Sequence, residues 1–409
     1  MFLKKVTILF VLSVLIIVLQ SCKLNSGSAP VILAASTALS DVQAAVDSAE
    51  SGGVVSIPRG SSTWDAALQI PDNKKIMLCG SGEDATIISS DTAGPGSLIN
   101  IGASGSRISN IGFRIACEDG NGIVVRGEDW RVDYCRFDNV SSDYGNAGVY
   151  ARGLSTDDGS PVGLVDHCEF NDMRVLVCGD ASLMANSNWS EPLGLGTNNA
   201  LFDEDCVFNF ENFGNCIDEN YGGRYVFRYN IVNDAYIEAH SLQGTHRATR
   251  SWEIYGNTIN QVERGMWTPF FLRGGTGVVF DNVLTGSWSS GPTIIVDNVR
   301  TFEARGEGGL ADGTSPWDGN EDSTGYPARD QIGRSTDQWL WTDENPYPPQ
   351  EHDPFYQWNN THEGSNIEVY VHNNCEAHIQ ENRDFYNNVE RPDYTPYTYP
   401  HPLIEQWGE

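Results

Sequence analysis

After Lys75 the sequence contains no lysine, and its 409 residues carry 25 basic side chains against 55 acidic ones. A formal charge of −30 repels phosphate backbones and anionic lipid heads, which argues against nucleic acid as a partner. Without lysine in the body of the chain, a lyase reaction there could not use a lysine base and would need arginine, histidine or tyrosine instead. The nine cysteines include no CxxC spacing, so no compact disulfide or zinc framework is indicated. Helical periodicity is scarce as well. What is present instead is turn chemistry, with 42 glycines, abundant asparagine and 11% aromatics. That mixture fits an all-β, turn-dense protein.

The N-terminus reads as a targeting segment. Lys4 and Lys5 precede an apolar run, Val6 to Leu19, too short to span a bilayer comfortably. "LQSC", Leu19 to Cys22, resembles a bacterial lipobox. The resemblance implies a signal peptide over 1–21 and a diacylated Cys22 as the first mature residue, followed by a tether over 22–36. Lys23 after the cysteine implies the outer membrane or cell surface, with membrane contact through the lipid alone.

A short pattern recurs downstream: "ISNIGF", "VDYCRF", "VDHCEF", "DEDCVF", "FRYNIV", "IYGNTI" and "FDNVL". Alignment puts Asn110, Cys135, Cys168, Cys206, Asn230, Asn257 and Asn282 in one column, at spacings of 25, 33, 38, 24, 27 and 25 residues. A base period with enlarged members marks a solenoid. The units alternate apolar and polar residues, so the spacing predicts a single-stranded right-handed parallel β-helix over 37–299. Three residues before the column come Val132, Val165, Asp203, Phe227, Ile254 and Val279, expected to stack inward. Side chains in the column should bond along the axis, and Cys135, Cys168 and Cys206 are expected as buried stacking thiols.

"DVQAAVDSAESGGVVSIPRGSSTW" (Asp41 to Trp64) and "IMLCGSGEDATII" (Ile76 to Ile88) resemble the first turns of pectate-lyase-like right-handed parallel β-helix proteins. The resemblance implies a short helix capping the N-terminal end and a first rung at "GGVVSIPRG". "GGRYVFRYN", "RSWEIYGNTI" and the ending "YTPYTYPHPL" are similar to uncharacterised bacterial β-helix proteins. Residues 300–409 are expected to wrap back along the solenoid and add a final rung, with "NIEVYVHN" (Asn366 to Asn373) as a strand.

Sites on such a scaffold lie on outward columns walled by enlarged loops, here expected at Ser141 to Pro161 and Gly179 to Asn199. One outward column reads Asp133, Asp166, Glu204, Arg228, Tyr255 and Phe280. Its three carboxylates need neutralising. The pectate lyase resemblance implies Ca²⁺ held by Asp133, Asp166 and Glu204; an ionic ladder completed by Arg228 is the alternative. "CIDEN" (Cys216 to Asn220) and "DGNED" (Asp318 to Asp322) are further calcium candidates. The basic island "EAHSLQGTHRATRSWEIYGN" brings His240, His246, Arg247 and Arg250 near Arg224 and Arg228. Arginine forks suit the carboxylates of a uronate polymer. His240 is then the expected base, and Tyr255 or Arg247 the acid, with Arg250 completing the catalytic set. Arg224, Arg228, His246 and Trp267 are the expected substrate contacts, and Trp189 and Trp317 are further stacking candidates. The same arginines could instead pair with Glu238, Glu253 and Asp234 to pin a loop.

The favoured expectation is a cell-surface lyase cleaving an acidic, uronate-containing polysaccharide by β-elimination. A hydrolase using Asp and Glu on adjacent rungs is the second option, although the "NTD" and "RIK" patterns of polygalacturonases are missing. A non-catalytic glycan-binding adhesin is the third.

Overall fold

A computed structural model describes residues 30–141, 145–153, 162–179, 194–212, 214–240, 248–263, 265–298, 310, 312, 314, 331–336, 350–372 and 375–406. The expected export segment, Cys22 and the "DGNED" loop lie outside them. Each circuit of the chain places one strand in each of three sheets. Trp130–Asp133 enters sheet 1, Arg136–Asn139 sheet 2 and Ala147–Arg152 sheet 3, and Gly163–Asp166 returns to sheet 1 one rung on. Successive rungs pair in parallel, and the sheets hold 12, 11 and 10 strands. The chain is a parallel β-helix, and parallel connections of this kind run right-handed.

The inward columns explain why it coils this way. Val132, Val165, Phe227, Ile254 and Val279 are all fully buried. Phe113, Phe137, Phe170 and Phe208 stack on sheet 2 at centroid separations of 5.0, 4.9 and 4.7 Å, within 11° of parallel. That repeat is the strand spacing of about 4.8 Å, so rung pairing and ring stacking are satisfied together. Asp203 occupies the same inward column as Val165 and Phe227. Burial pushes its carboxyl well above the usual range, which favours the uncharged form.

The corner from sheet 1 to sheet 2 uses one left-handed residue per rung: Tyr134 (φ 49°), His167 (51°), Asp205 (56°), Tyr229 (59°), Gly256 (68°) and Asp281 (55°). The residue after it turns inward and forms the ladder. Asn230 Oδ1 accepts from Cys206 N at 2.8 Å, Asn257 Oδ1 from Asn230 N at 2.9 Å and Asn282 Oδ1 from Asn257 N at 3.0 Å. Asn360, which the sequence pattern did not reach, extends it by accepting from Asn282 Nδ2 at 2.8 Å. Asn110 does not belong to it. Gly112 pairs with Arg136, so Ile111 aligns with Cys135, and Asn110 is the left-handed corner residue at φ 60°. The sequence alignment is therefore one residue out of register at this rung. Cys135, Cys168 and Cys206 are free, buried thiols in the stack, and burial raises the pKa of all three.

The helix Leu39–Ser48 closes the N-terminal end, burying Val42, Ala45 and Val46 against the first rungs. Among the described residues no helix is long and apolar enough to cross a membrane. The expected loop at Ser141 to Pro161 contains the sheet 3 strand Ala147–Arg152, so the excess there is smaller than the spacing suggested. Towards the C-terminus, Phe355–Trp358 and Phe385–Asn387 add to sheet 1, and Val369–Val371 adds to sheet 3.

Residues 394–406 then double back across the outer face of sheet 1. Arg228 Nη1 and Nη2 donate to the carbonyls of Tyr397 (2.8 Å) and Thr398 (2.9 Å), and His401 N donates to Glu204 Oε1 at 2.9 Å. Leu403, Tyr394 and Tyr397 pack on Leu164, Phe202, Val226 and Phe280.

Candidate functional site

The carboxylate column of sheet 1 lies beneath this crossing segment. Asp133, Asp166 and Glu204 are each 0% exposed. Arg107 Nε donates to Asp133 Oδ1 at 2.8 Å, and Arg131 forks onto Asp166 at 2.8 and 2.7 Å. Arg228 Nε reaches Glu204 Oε2 at 2.7 Å. Burial alone would raise Asp166, but Arg131 and His167 outweigh it and hold the carboxyl below its ordinary value. For the expected calcium ligands this is a correction. Guanidinium groups neutralise the column in place, and the crossing segment covers it.

The expected catalytic and substrate-contact residues divide between two faces. Arg224, Arg228, Arg250 and Tyr255 are at most 2% exposed, on strands of sheet 1 or at their entry. Tyr255 receives a 2.9 Å hydrogen bond from Arg228 Nη1 and stacks on Phe280. Neither partner points to solvent. His246 and Arg247 lie outside the described residues. Among the described base and acid candidates, His240 alone stands at the outer face of sheet 3.

That face carries its own cluster. Asn215–Asn220 and Tyr236–Ala239 are adjacent strands, with Ile217 paired to Ile237 and both turned inward. Alternation then puts Asp218 and Glu238 outward on neighbouring rungs, with Phe271 beside Glu238 on the next. Two residues further along lie Asn220, His240 and Arg273. His240 Nδ1 hydrogen-bonds Asp218 Oδ1, and its Nε2 lies 3.7 Å from Glu238 Oε1. Arg273 Nη2 donates to Glu238 Oε1, and Asn215 Nδ2 donates to Glu238 Oε2. Arg174 Nη1 bridges Asn215 Oδ1 (3.1 Å) and Asp218 Oδ2 (3.3 Å).

Burial opposes the charge on Asp218, but His240, Arg174 and Arg273 overcome it and hold the carboxyl below its usual range. One ligand atom from each of Asp218, Glu238 and His240 falls within 4.8 Å of the others. That spacing would suit a metal ion, yet both carboxylates already accept from arginine or asparagine, so a cation would meet guanidinium charge. The arrangement is better suited to holding an ionised Asp218 against the His240 ring on the outer face of sheet 3. His240, with a side chain 21% exposed over carboxylates 6% and 5% exposed, is the member solvent reaches.

The outer face of sheet 3 continues along the axis. On the C-terminal side, half-buried Trp267 meets Phe271 edge-on at 4.6 Å, Arg273 sits 4.5 Å over the Phe271 ring, and Tyr370 is 51% exposed. On the N-terminal side, Tyr150 and Leu176 precede Asp218 in register. Sequence reasoning found His240 and Trp267 but missed Arg174 and Arg273. It took Asp218 for part of a calcium loop and Glu238 for a loop pin. A signal existed: "CIDEN", "YIEAH" and "PFFLR" align on Ile217, Ile237 and Phe270, which puts these residues in two outward columns.

No protein-family model matches the chain, and no curated protein matches it. Among solved structures, the chain is similar to the catalytic domain of a GH87 alpha-1,3-glucanase in complex with tetrasaccharides. The identity is 11%, with 89% of this chain and 69% of that chain covered, at a TM-score of 0.36. It is also similar to a GH87 alpha-1,3-glucanase catalytic domain in complex with nigerose, at 8% identity, the same coverages and a TM-score of 0.31.

Proposed function

We propose that this protein is a polysaccharide-cleaving enzyme of the glycoside hydrolase type, acting at Asp218, Glu238 and His240. The observation that carries the reading is a pair of nearly buried carboxylates on adjacent rungs, bridged by one histidine, on the face that the crossing segment leaves uncovered. Asp218, held ionised, attacks the anomeric carbon. The Glu238–His240 pair gives its proton to the departing oxygen, and water later releases the sugar from Asp218 while the pair takes the proton back. Carboxylate oxygens within 4.8 Å of each other are closer to the short spacing of retaining pairs than to the wide one of inverting pairs, which favours net retention.

β-Elimination fits less well. Both His240 nitrogens face carboxylates, and Arg174 and Arg273 are committed to this chain's own acids rather than to a substrate's. Export and a lipid on Cys22, as "LQSC" suggests, would bring the enzyme to polymers outside the cell.

The test is release of reducing ends from a panel of neutral and anionic glycans, with product anomers followed by NMR. Retained configuration and a loss of about a thousandfold in kcat for Asp218→Asn are expected. Unsaturated sugar products, or an Asp218→Asn protein as fast as the parent, would overturn the proposal.

A further inference from the structure

The outward column that contains His240 can be followed towards the N-terminus. Arg152 pairs in register with Cys178, and Cys178 with Asn220; His240 N donates to Glu219 O, which carries the register onward. One rung before Arg152 stands Arg126, directly after the paired Val125 and Ala151. Two guanidinium groups therefore sit on consecutive rungs of sheet 3, three and four rungs from His240. At about 4.8 Å per rung the nearer one is roughly 14 Å away along the axis, the reach of a short run of sugars.

These two arginines differ from most others among the described residues. Arg107, Arg131, Arg136, Arg174, Arg228 and Arg273 are each ion-paired with a carboxylate. Arg126 and Arg152 have no ion pair among the described residues, although acidic side chains outnumber basic ones 55 to 25. Arg126 Nε is buried with no hydrogen-bond partner. Arg152 is exposed and lies 5.9 Å over the ring of Tyr150, which is turned to the same face. Like charges one rung apart repel, and a chain this acidic had ample means to neutralise them. An anion arriving from solvent would relieve both the repulsion and the orphaned donor. Guanidinium forks select planar or tetrahedral oxyanions, and the neighbouring tyrosine offers a ring to a sugar face.

We infer that Arg126 and Arg152 form an anion subsite for a carboxylate- or sulfate-bearing sugar, three to four rungs before the Asp218–Glu238–His240 cluster. This rests on the glycan-cleaving reading of that cluster and adds a substrate class to it. The C-terminal half of sheet 3, with Trp267, Phe271 and Tyr370, supplies aromatic faces instead, so the bound polymer is read by charge on one side of the scissile bond and by stacking on the other.

The test uses the full chain in native affinity gels containing polygalacturonate, dextran sulfate or a neutral glucan. Migration in the parent should be retarded by at least one anionic polymer, and which one it is separates carboxylate from sulfate recognition. R126Q/R152Q should weaken that retardation about tenfold, with an unchanged melting temperature, and raising salt should weaken the parent's binding in the same way. R59Q/R114Q makes the same charge change at exposed arginines elsewhere and should bind like the parent. Parent-like retardation of R126Q/R152Q, an equal loss on the neutral glucan, or no retardation of the parent by either anionic polymer each overturns the inference. Asp218→Asn reports separately on cleavage, so failure of the hydrolase reading and failure of the subsite are told apart.

Discussion

The outer faces of sheets 1 and 3 are made of the same chemistry and differ in what lies over them. Each carries carboxylates on neighbouring rungs, and each pairs them with arginines. On sheet 1 the pairs Arg131–Asp166 and Arg228–Glu204 are sealed at 0% exposure beneath residues 394–406. On sheet 3 His240 and Arg174 keep about a fifth of their side-chain surface in solvent. Ion pairs by themselves therefore do not mark a site in this molecule. The cover seals one set, while the other keeps contact with solvent.

The contrast can be broken most forcefully at Arg228. Arg228→Met leaves Glu204 buried without its cation and frees the carbonyls of Tyr397 and Thr398, so a loss of about 3–5 kcal/mol is expected in urea unfolding. The folded fraction should cleave substrate at the parent rate. If it fails to, the two faces are not independent.

A second, smaller effect concerns pH under the cover. Burial raises Glu253 to about 7, offset in part by the Tyr394 hydroxyl and the Gly196 amide that bond it. Below the ordinary value of 4.5 both folded and unfolded states hold the proton; between 4.5 and about 7 only the folded state does. Stability should fall as pH rises through that window, by on the order of 3 kcal/mol, and then level off. In Glu253→Gln that slope should disappear from melting curves taken across pH 4 to 8 (roughly the titration range). A slope unchanged by the substitution would show that the cover is not what shifts this carboxyl.

The smallest change tests the core both faces share. Asp203→Val gives the inward column the same residue as Val165 and should raise stability by about 1–3 kcal/mol, because a buried carboxyl group is removed. A loss instead would mean that Asp203 is held by bonds worth more than its desolvation.

Much of the fold was legible because inward columns are selected rung by rung. Phe137, Phe170 and Phe208 must match one another to stack, and that correlation is visible in the sequence itself. Asn110 shows the limit: at a corner, the residue in the left-handed conformation and the residue in the ladder are neighbours, and asparagine suits both. The site was half legible. His240 stood out as a basic residue in an acidic chain, but its partners belong to the sheet 3 register, which the sheet 1 to sheet 2 ladder does not report. Circuits vary in length, so Asp218, His240 and Arg273 come together at separations no single period predicts. The burial of Arg228 and Tyr255 was invisible for another reason: the segment covering them starts at Tyr394, more than a hundred residues further along.

That segment also changes how the molecule can come apart. A solenoid whose rungs touch only their neighbours frays from its ends, one turn at a time. Here Arg131 Nη1 bonds the carbonyl of Ile404, 273 positions away, and Tyr399 bonds Asp205 across 194. The last turns cannot peel off without dragging a buckle fixed in the middle of the coil. Opening the C-terminal end therefore also requires releasing contacts made in the middle of the coil.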